Sequence, residues 1–115
     1  MEYRTGRIPR EYCSASNGSL DGALQLHGNA HDYWLYLHVS GGYHGQGVYN
    51  VGAGAKVALR EYLKGAFWLS VPGGVLSVTG KEGASGAMKA DLGFVQGEPT
   101  PHIFRLDISG AWRCG

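Results

Sequence analysis

The chain has 115 residues, 43% of them hydrophobic and 17% charged, the latter below the roughly 25% of an ordinary soluble domain. Ten basic against nine acidic side chains leave a formal net charge of +1, which excludes a nucleic-acid binder built on a basic face, an acidic disordered tail and a polybasic membrane anchor. Glycine is the outlier at 20 residues against an expectation of about 7%; it follows no three-residue period, so collagen is excluded, and the length suffices for one hydrophobic core.

Residues 1–18 are polar and lack periodicity, with Pro9 among Arg4, Arg7, Arg10 and Glu11. They read as an extended arm pinned at Cys13, ahead of a domain spanning 19–115. From Ser19 onward, short β-favouring runs alternate in polarity and are separated by Gly-rich turns. The expected strands are 20–27, 33–39, 46–51, 56–62, 66–71, 75–79, 86–94 and 102–113, with turns at Ser40-Gly41-Gly42, Pro72-Gly73-Gly74 and Lys81-Glu82-Gly83. Residues 55–64 carry a competing helical pattern through Ala55, Leu59, Tyr62 and Leu63, and strand is preferred.

Successive side chains of a strand leave opposite faces. In 33–39 the aliphatic set Leu35, Leu37 and Val39 is expected to face the core, which turns Trp34, Tyr36 and His38 outward. By the same reasoning Phe104, Leu106 and Ile108 point inward and Ile103, Arg105 and Asp107 outward, with Arg105 and Asp107 available for cross-strand pairing. Phe67, Leu69 and Val71, with Leu76 and Val78, complete the expected core, which leaves Trp68 outward. Two packed sheets would bury all of these, so the expectation is a single-domain, all-β, antiparallel β-sandwich of seven or eight short strands, with a small closed β-barrel as the alternative.

Cys13 and Cys114 bracket the domain and show no zinc-type spacing. They are expected to form a disulfide that ties the arm to the last strand, and a disulfide implies an oxidising compartment. No apolar run is long enough for a membrane helix. Glu2-Tyr3-Arg4 does not begin an export signal, so the expected location, secreted or cell-envelope, presumes a leader outside this sequence.

The runs Gly74-Val75-Leu76-Ser77-Val78, Gly83 to Gly86, Ala90-Asp91-Leu92 and Ile108-Ser109-Gly110-Ala111-Trp112-Arg113-Cys114 resemble the C-terminal half of small secreted or lipid-anchored bacterial β-sandwich proteins, of the mycobacterial 19-kDa lipoprotein antigen type. The resemblance covers residues 70–114 and rests on glycines and alternation. It implies export and a non-enzymatic envelope or surface role, and carries no functional residues across.

Chemistry-bearing constellations are sparse. His27, His31, His38 and His44, with Asp32, lack ligand-type spacing and read as surface or turn residues, so no metal or cofactor is expected. Asp21, Asp32, Glu61, Asp91 and Asp107 sit on different segments with no paired motif. No nucleophile elbow or phosphate loop is present; Gly83-Ala84-Ser85-Gly86 only echoes the former. The chain therefore reads as a non-enzyme. The remaining signal is aromatic: Trp34, Tyr36, Tyr43 and Tyr49 cluster on neighbouring strands, and such rings can stack on sugars or on an apolar protein patch. A secreted or surface binding module for a saccharide or protein is the first functional expectation. A structural protein that packs against copies of itself is the second.

Overall fold

The computed structural model describes residues 6–8, 12–16, 18–27, 32–62, 65–80, 85–97 and 104–114. Among these, nine strands follow one another without a helix: β1 (Gly6–Ile8), β2 (Cys13–Ser16), β3 (Gly18–His27), β4 (Asp32–Tyr43), β5 (Gly47–Asn50), β6 (Ala55–Glu61), β7 (Phe67–Val78), β8 (Ser85–Gln96) and β9 (Arg105–Cys114). The protein is a single all-β domain. Residues 55–61 form a strand, as alternation required. The Lys81-Glu82-Gly83 turn, His31, Leu63 and Ile103 lie outside the described residues.

All nine strands belong to one sheet, in the order β1-β9-β8-β7-β6-β4-β3-β2, with β5 paired to β7 off this path. Neighbours are antiparallel except β1, which runs parallel to β9. One sheet curled into a half-barrel, rather than two separate sheets, supplies the facing inner surfaces that the core requires. The segment read as an irregular arm contributes β1 and β2, which sit at the two edges of the sheet. Ile8 pairs with Cys114 and Cys13 pairs with Gly22. Five residues reach at most about 17 Å, so the two edges must be brought together. Laid flat, the six interstrand spacings between β9 and β2 would span about 29 Å. In the folded chain Cys13 and Cys114 are disulfide-bonded with their Cα atoms 6.1 Å apart.

The inner face carries the core. On β3 it is Leu20 and Leu24; on β4 Leu35, Leu37 and Val39; on β6 Ala55, Val57 and Leu59; and on β8 and β9 Met88, Ala90, Leu92, Ile108 and Trp112. In β7 the inner residues are Trp68, Leu76 and Val78. This corrects the expected assignment of 66–71: Trp68 is inward, while Leu69 is exposed and Phe67 and Val71 are partly so. The reason is register, since Trp68 pairs with Leu59 on β6 and with Phe94 on β8, both on the inner row, and its ring packs edge-on against Tyr33 and Phe94. Phe104 is also corrected. It precedes β9, is 59% exposed, and meets the Phe94 ring edge to face.

Two glycine clusters expected to be turns are bulges inside strands. Between the Ser70–Leu92 and Gly74–Ala90 pairs, Val71, Pro72 and Gly73 stand opposite the single residue Asp91. Here β7 exchanges its neighbour, leaving β6 and taking up β5, and Val51 bridges the change through bonds to Gly73 N–H (3.1 Å) and Gly74 carbonyl (3.2 Å). Gly74 has φ +89°, and a Cβ there would lie 2.1 Å from the Lys89 carbonyl oxygen. In β4, Gly41 and Gly42 form a second bulge between the Ser19–Ser40 and Gly18–Tyr43 pairs. Bulges sharpen local twist and bend a strand, which is how a single sheet of this width curls.

Two stability predictions follow from the closure and from inner-face packing. Cys114→Ser should cost roughly 2–5 kcal/mol, lowering Tm by about 10 °C or more, and non-reducing peptide mapping of the wild type should return one linked Cys13–Cys114 pair. Gly86 lies under the Trp112 ring, where a Cβ would fall 2.3 Å from the indole and 2.0 Å from the Ser77 carbonyl oxygen. Gly86→Ala should therefore destabilise by roughly 1–3 kcal/mol, read as a lower denaturation midpoint with an unchanged m-value.

Candidate functional site

Because Leu35 and Leu37 face inward, Trp34 and Tyr36 leave the convex outer face of the sheet. What surrounds them is decided by cross-strand register. Tyr36 is level with Ala23 on β3 and Ala58 on β6, and Trp34 is level with Gln25 and Arg60. Tyr12, in the turn just before the Cys13–Gly22 pair, also reaches this face. A methyl side chain thus sits among three large rings, and the difference in side-chain height leaves a hollow. Tyr12, Ala23, Trp34 and Tyr36 line this open depression of about 230 Å³. The Tyr12 and Trp34 rings meet edge to face, 5.6 Å apart at 82°. That geometry favours aromatic pairing and holds the Trp34 ring upright as a wall. Tyr12 is about half exposed and Tyr36 is 37% exposed.

Polar groups lie further along the same face on either side of the depression. His38, two residues along β4 from Tyr36 and on the same face, is hydrogen-bonded through Nδ1 to Asp21 Oδ1 on β3. At the other end of the hairpin His27 Nδ1 lies 3.1 Å from Asp32 Oδ1. Both are directly paired positions of the β3–β4 ladder, which separation in sequence conceals. His44 instead lies against the Tyr49 ring, 5.0 Å between centroids. Among the described residues no group of three His, Cys, Asp or Glu side chains converges as a metal site would require.

The four aromatics expected to act together are divided. Trp34 and Tyr36 share the outer face. Tyr49 is buried: its hydroxyl donates to the Gly45 carbonyl (2.7 Å) and accepts from the His44 N–H (3.0 Å), so it braces the β4–β5 connection. Tyr43, seven residues beyond Tyr36 and therefore about 23 Å along the strand, packs on Tyr49 with centroids 5.6 Å apart. The bulge at Gly41-Gly42 separates it from the row of Trp34 and Tyr36. In their place register brings Tyr12 and Ala23, which composition and alternation did not single out.

Two acidic features also emerge. Glu61 ends the inner row of β6 and is only 1% exposed; burial first, and then the Glu61 carboxylate, push the Tyr33 phenol above its usual range. On the outer face Asp91 and Asp107 are directly paired across β8 and β9, so Asp107 meets a carboxyl group rather than a cation. Its hydrogen bond to Asp91, then its charge, hold the Asp91 carboxyl above its usual value, with Arg105 and Lys89 opposing.

No family model, curated protein or solved structure matches the chain, so the likeness of residues 70–114 to envelope lipoproteins is neither supported nor refuted. Among the described residues no helix is long and apolar enough to cross a membrane. The Cys13–Cys114 pair is compatible with an oxidising extracellular environment.

The paired aspartates set a pH dependence whose sign is fixed. A carboxyl whose folded pKa lies above its ordinary 3.8 favours the fold at acid pH, and that contribution is lost as pH rises through the raised value. Asp107→Asn should accordingly raise Tm at neutral pH, and the gain should shrink as the pH is lowered towards 3.8. Thermal melts of both proteins across this range give the measurement.

Proposed function

We propose that this chain is a non-enzymatic binding module of the cell exterior that takes a sugar ring into the depression formed by Tyr12, Ala23, Trp34 and Tyr36. The observation that carries the reading is the alanine floor among three rings on a face the core does not need. The apolar C–H face of a pyranose stacks on flat aromatic side chains, and the hollow is shallow, open and about one ring in volume. It is too short for a helix and too small for a broad protein interface, which buries roughly 800 Å² on each partner. Gln25, the His38–Asp21 pair and Arg60 are positioned around the rings to meet hydroxyl groups. The disulfide and the likeness of the C-terminal third to envelope proteins favour export over a cytosolic setting.

A screen of immobilised oligosaccharides, followed by calorimetry on any hit, tests the reading with two variants. Ala23→Leu fills the floor without touching the core, and Trp34→Ala removes a wall; both should abolish binding while Tm moves by only a few degrees. If Trp34→Ala instead costs roughly 3–5 kcal/mol, the penalty of a core aromatic, the rings serve packing and the reading falls. A concentration-dependent increase in solution mass that Ala23→Leu removes would reassign the face to self-association.

A further inference from the structure

The row containing the depression does not end at Tyr36. Ala58 is its next member, on β6, followed by Leu69 on β7. Tyr36 is therefore a ridge with an alanine on either side, the two alanines being two strands, or about 10 Å, apart. The surroundings of Ala58 differ from those of Ala23. Alternation along β6 brings Lys56 and Arg60 to the same outer face as Ala58, one on each side of it, about 13 Å apart along the strand. Both are exposed, and neither forms an ion pair with a described residue. The Arg60 guanidinium lies 5.3 Å from the centroid of the Phe67 ring. Such a contact restrains the side chain while leaving its hydrogen-bond donors available.

Among the described residues, the cations flanking Ala58 meet no unengaged carboxylate: Asp32, two residues along β4 from Trp34, is held by His27. Asp21 belongs to the outer face but is engaged by His38; Glu61, next to Arg60 in sequence, is turned inward and buried; the outward residues of β7 at this level are Phe67 and Leu69. The Asp91–Asp107 pair lies beyond β7. Two unopposed cations thus stand beside a stacking surface, and guanidinium groups match carboxylates in shape and hydrogen-bonding pattern. We infer that the ligand is an anionic oligosaccharide of uronic acid type, which crosses β3, β4 and β6 with one ring over Ala23 and a neighbouring carboxylate over Ala58, held by Lys56 and Arg60. This inference rests on the saccharide reading given above and narrows it to an acidic class.

The test uses a size-defined oligogalacturonate and the same oligomer with its carboxylates reduced to alcohols, titrated into the intact protein and into a Lys56→Gln, Arg60→Gln double variant. A charge-assisted contact confers roughly tenfold or more in affinity, so the acidic oligomer should bind at least about tenfold more tightly than the reduced one. The preference should weaken with added salt. In the double variant it should vanish, the acidic oligomer then binding no more tightly than the reduced one. Equal affinity for the two oligomers, or a preference that survives the double variant, overturns the acidic assignment and leaves the aromatic site standing. Failure of folded wild-type protein to bind either oligomer overturns both. Poly-glutamate binding as tightly as the oligogalacturonate, and insensitive to Ala23→Leu, would show unspecific attraction of anions and also overturn the inference.

Discussion

Everything in this molecule depends on bringing the two edges of one sheet together. β1 and β2 are separated by only a few residues yet lie at opposite ends of the strand order, and the Cys13–Cys114 bond spans the same gap. A flat sheet satisfies neither condition. Curling places every inner side chain against others from the same sheet, so a domain of this length obtains a two-sided core from one layer. It also fixes which residues face outward, and the aromatic depression is a by-product of that sorting. Trp34 and Tyr36 are outside because Leu35, Leu37 and Val39 are needed inside.

The all-β class, the disulfide and the faces of β4 were legible because each rests on a local rule: alternation, turn residues, and two cysteines with one partner each. Where local rules had to choose between equally apolar sets, they failed. In 66–71 both Phe67-Leu69-Val71 and Trp68 with its neighbours could serve as core, and only the pairing of Trp68 with Leu59 and Phe94 decides between them. Pro72-Gly73-Gly74 and Ser40-Gly41-Gly42 carry turn chemistry, but the same glycines serve bulges as readily as turns. A curled sheet needs bends within its strands as much as it needs reversals between them. β1 and β2 were hidden for a different reason: an edge strand pairs on one side only and needs little hydrophobic pattern of its own.

The site was legible in half. Alternation placed Trp34 and Tyr36 outward, but proximity along the chain wrongly grouped them with Tyr43 and Tyr49, one of which the core claims. Their actual companions, Tyr12 and Ala23, belong to segments whose alignment with β4 is set by pairing register, a non-local quantity that a single sequence does not display. Alanine is especially silent: its value here is the space above it, which depends on the size of its cross-strand neighbours. The same holds for the acids, where register joins Asp21 to His38 and sets Asp91 against Asp107.

The closure across the seam also governs the order in which the molecule can be made. Cys13 and Cys114 are separated by 101 positions, and β1 has no ladder partner until β9 exists. During synthesis β2 can pair with β3 at once, but the growing sheet must wait with its other margin unpaired until β9 has emerged. Such non-local contacts slow folding, and unpaired margins invite association with other chains. β1 and β9 are the last to find their places, so an oxidant acting before β9 is in position leaves the thiol of Cys13 open to a foreign partner. Formation of this fold is thus set by β9, with the cysteine bond acting as a latch on a structure already rolled.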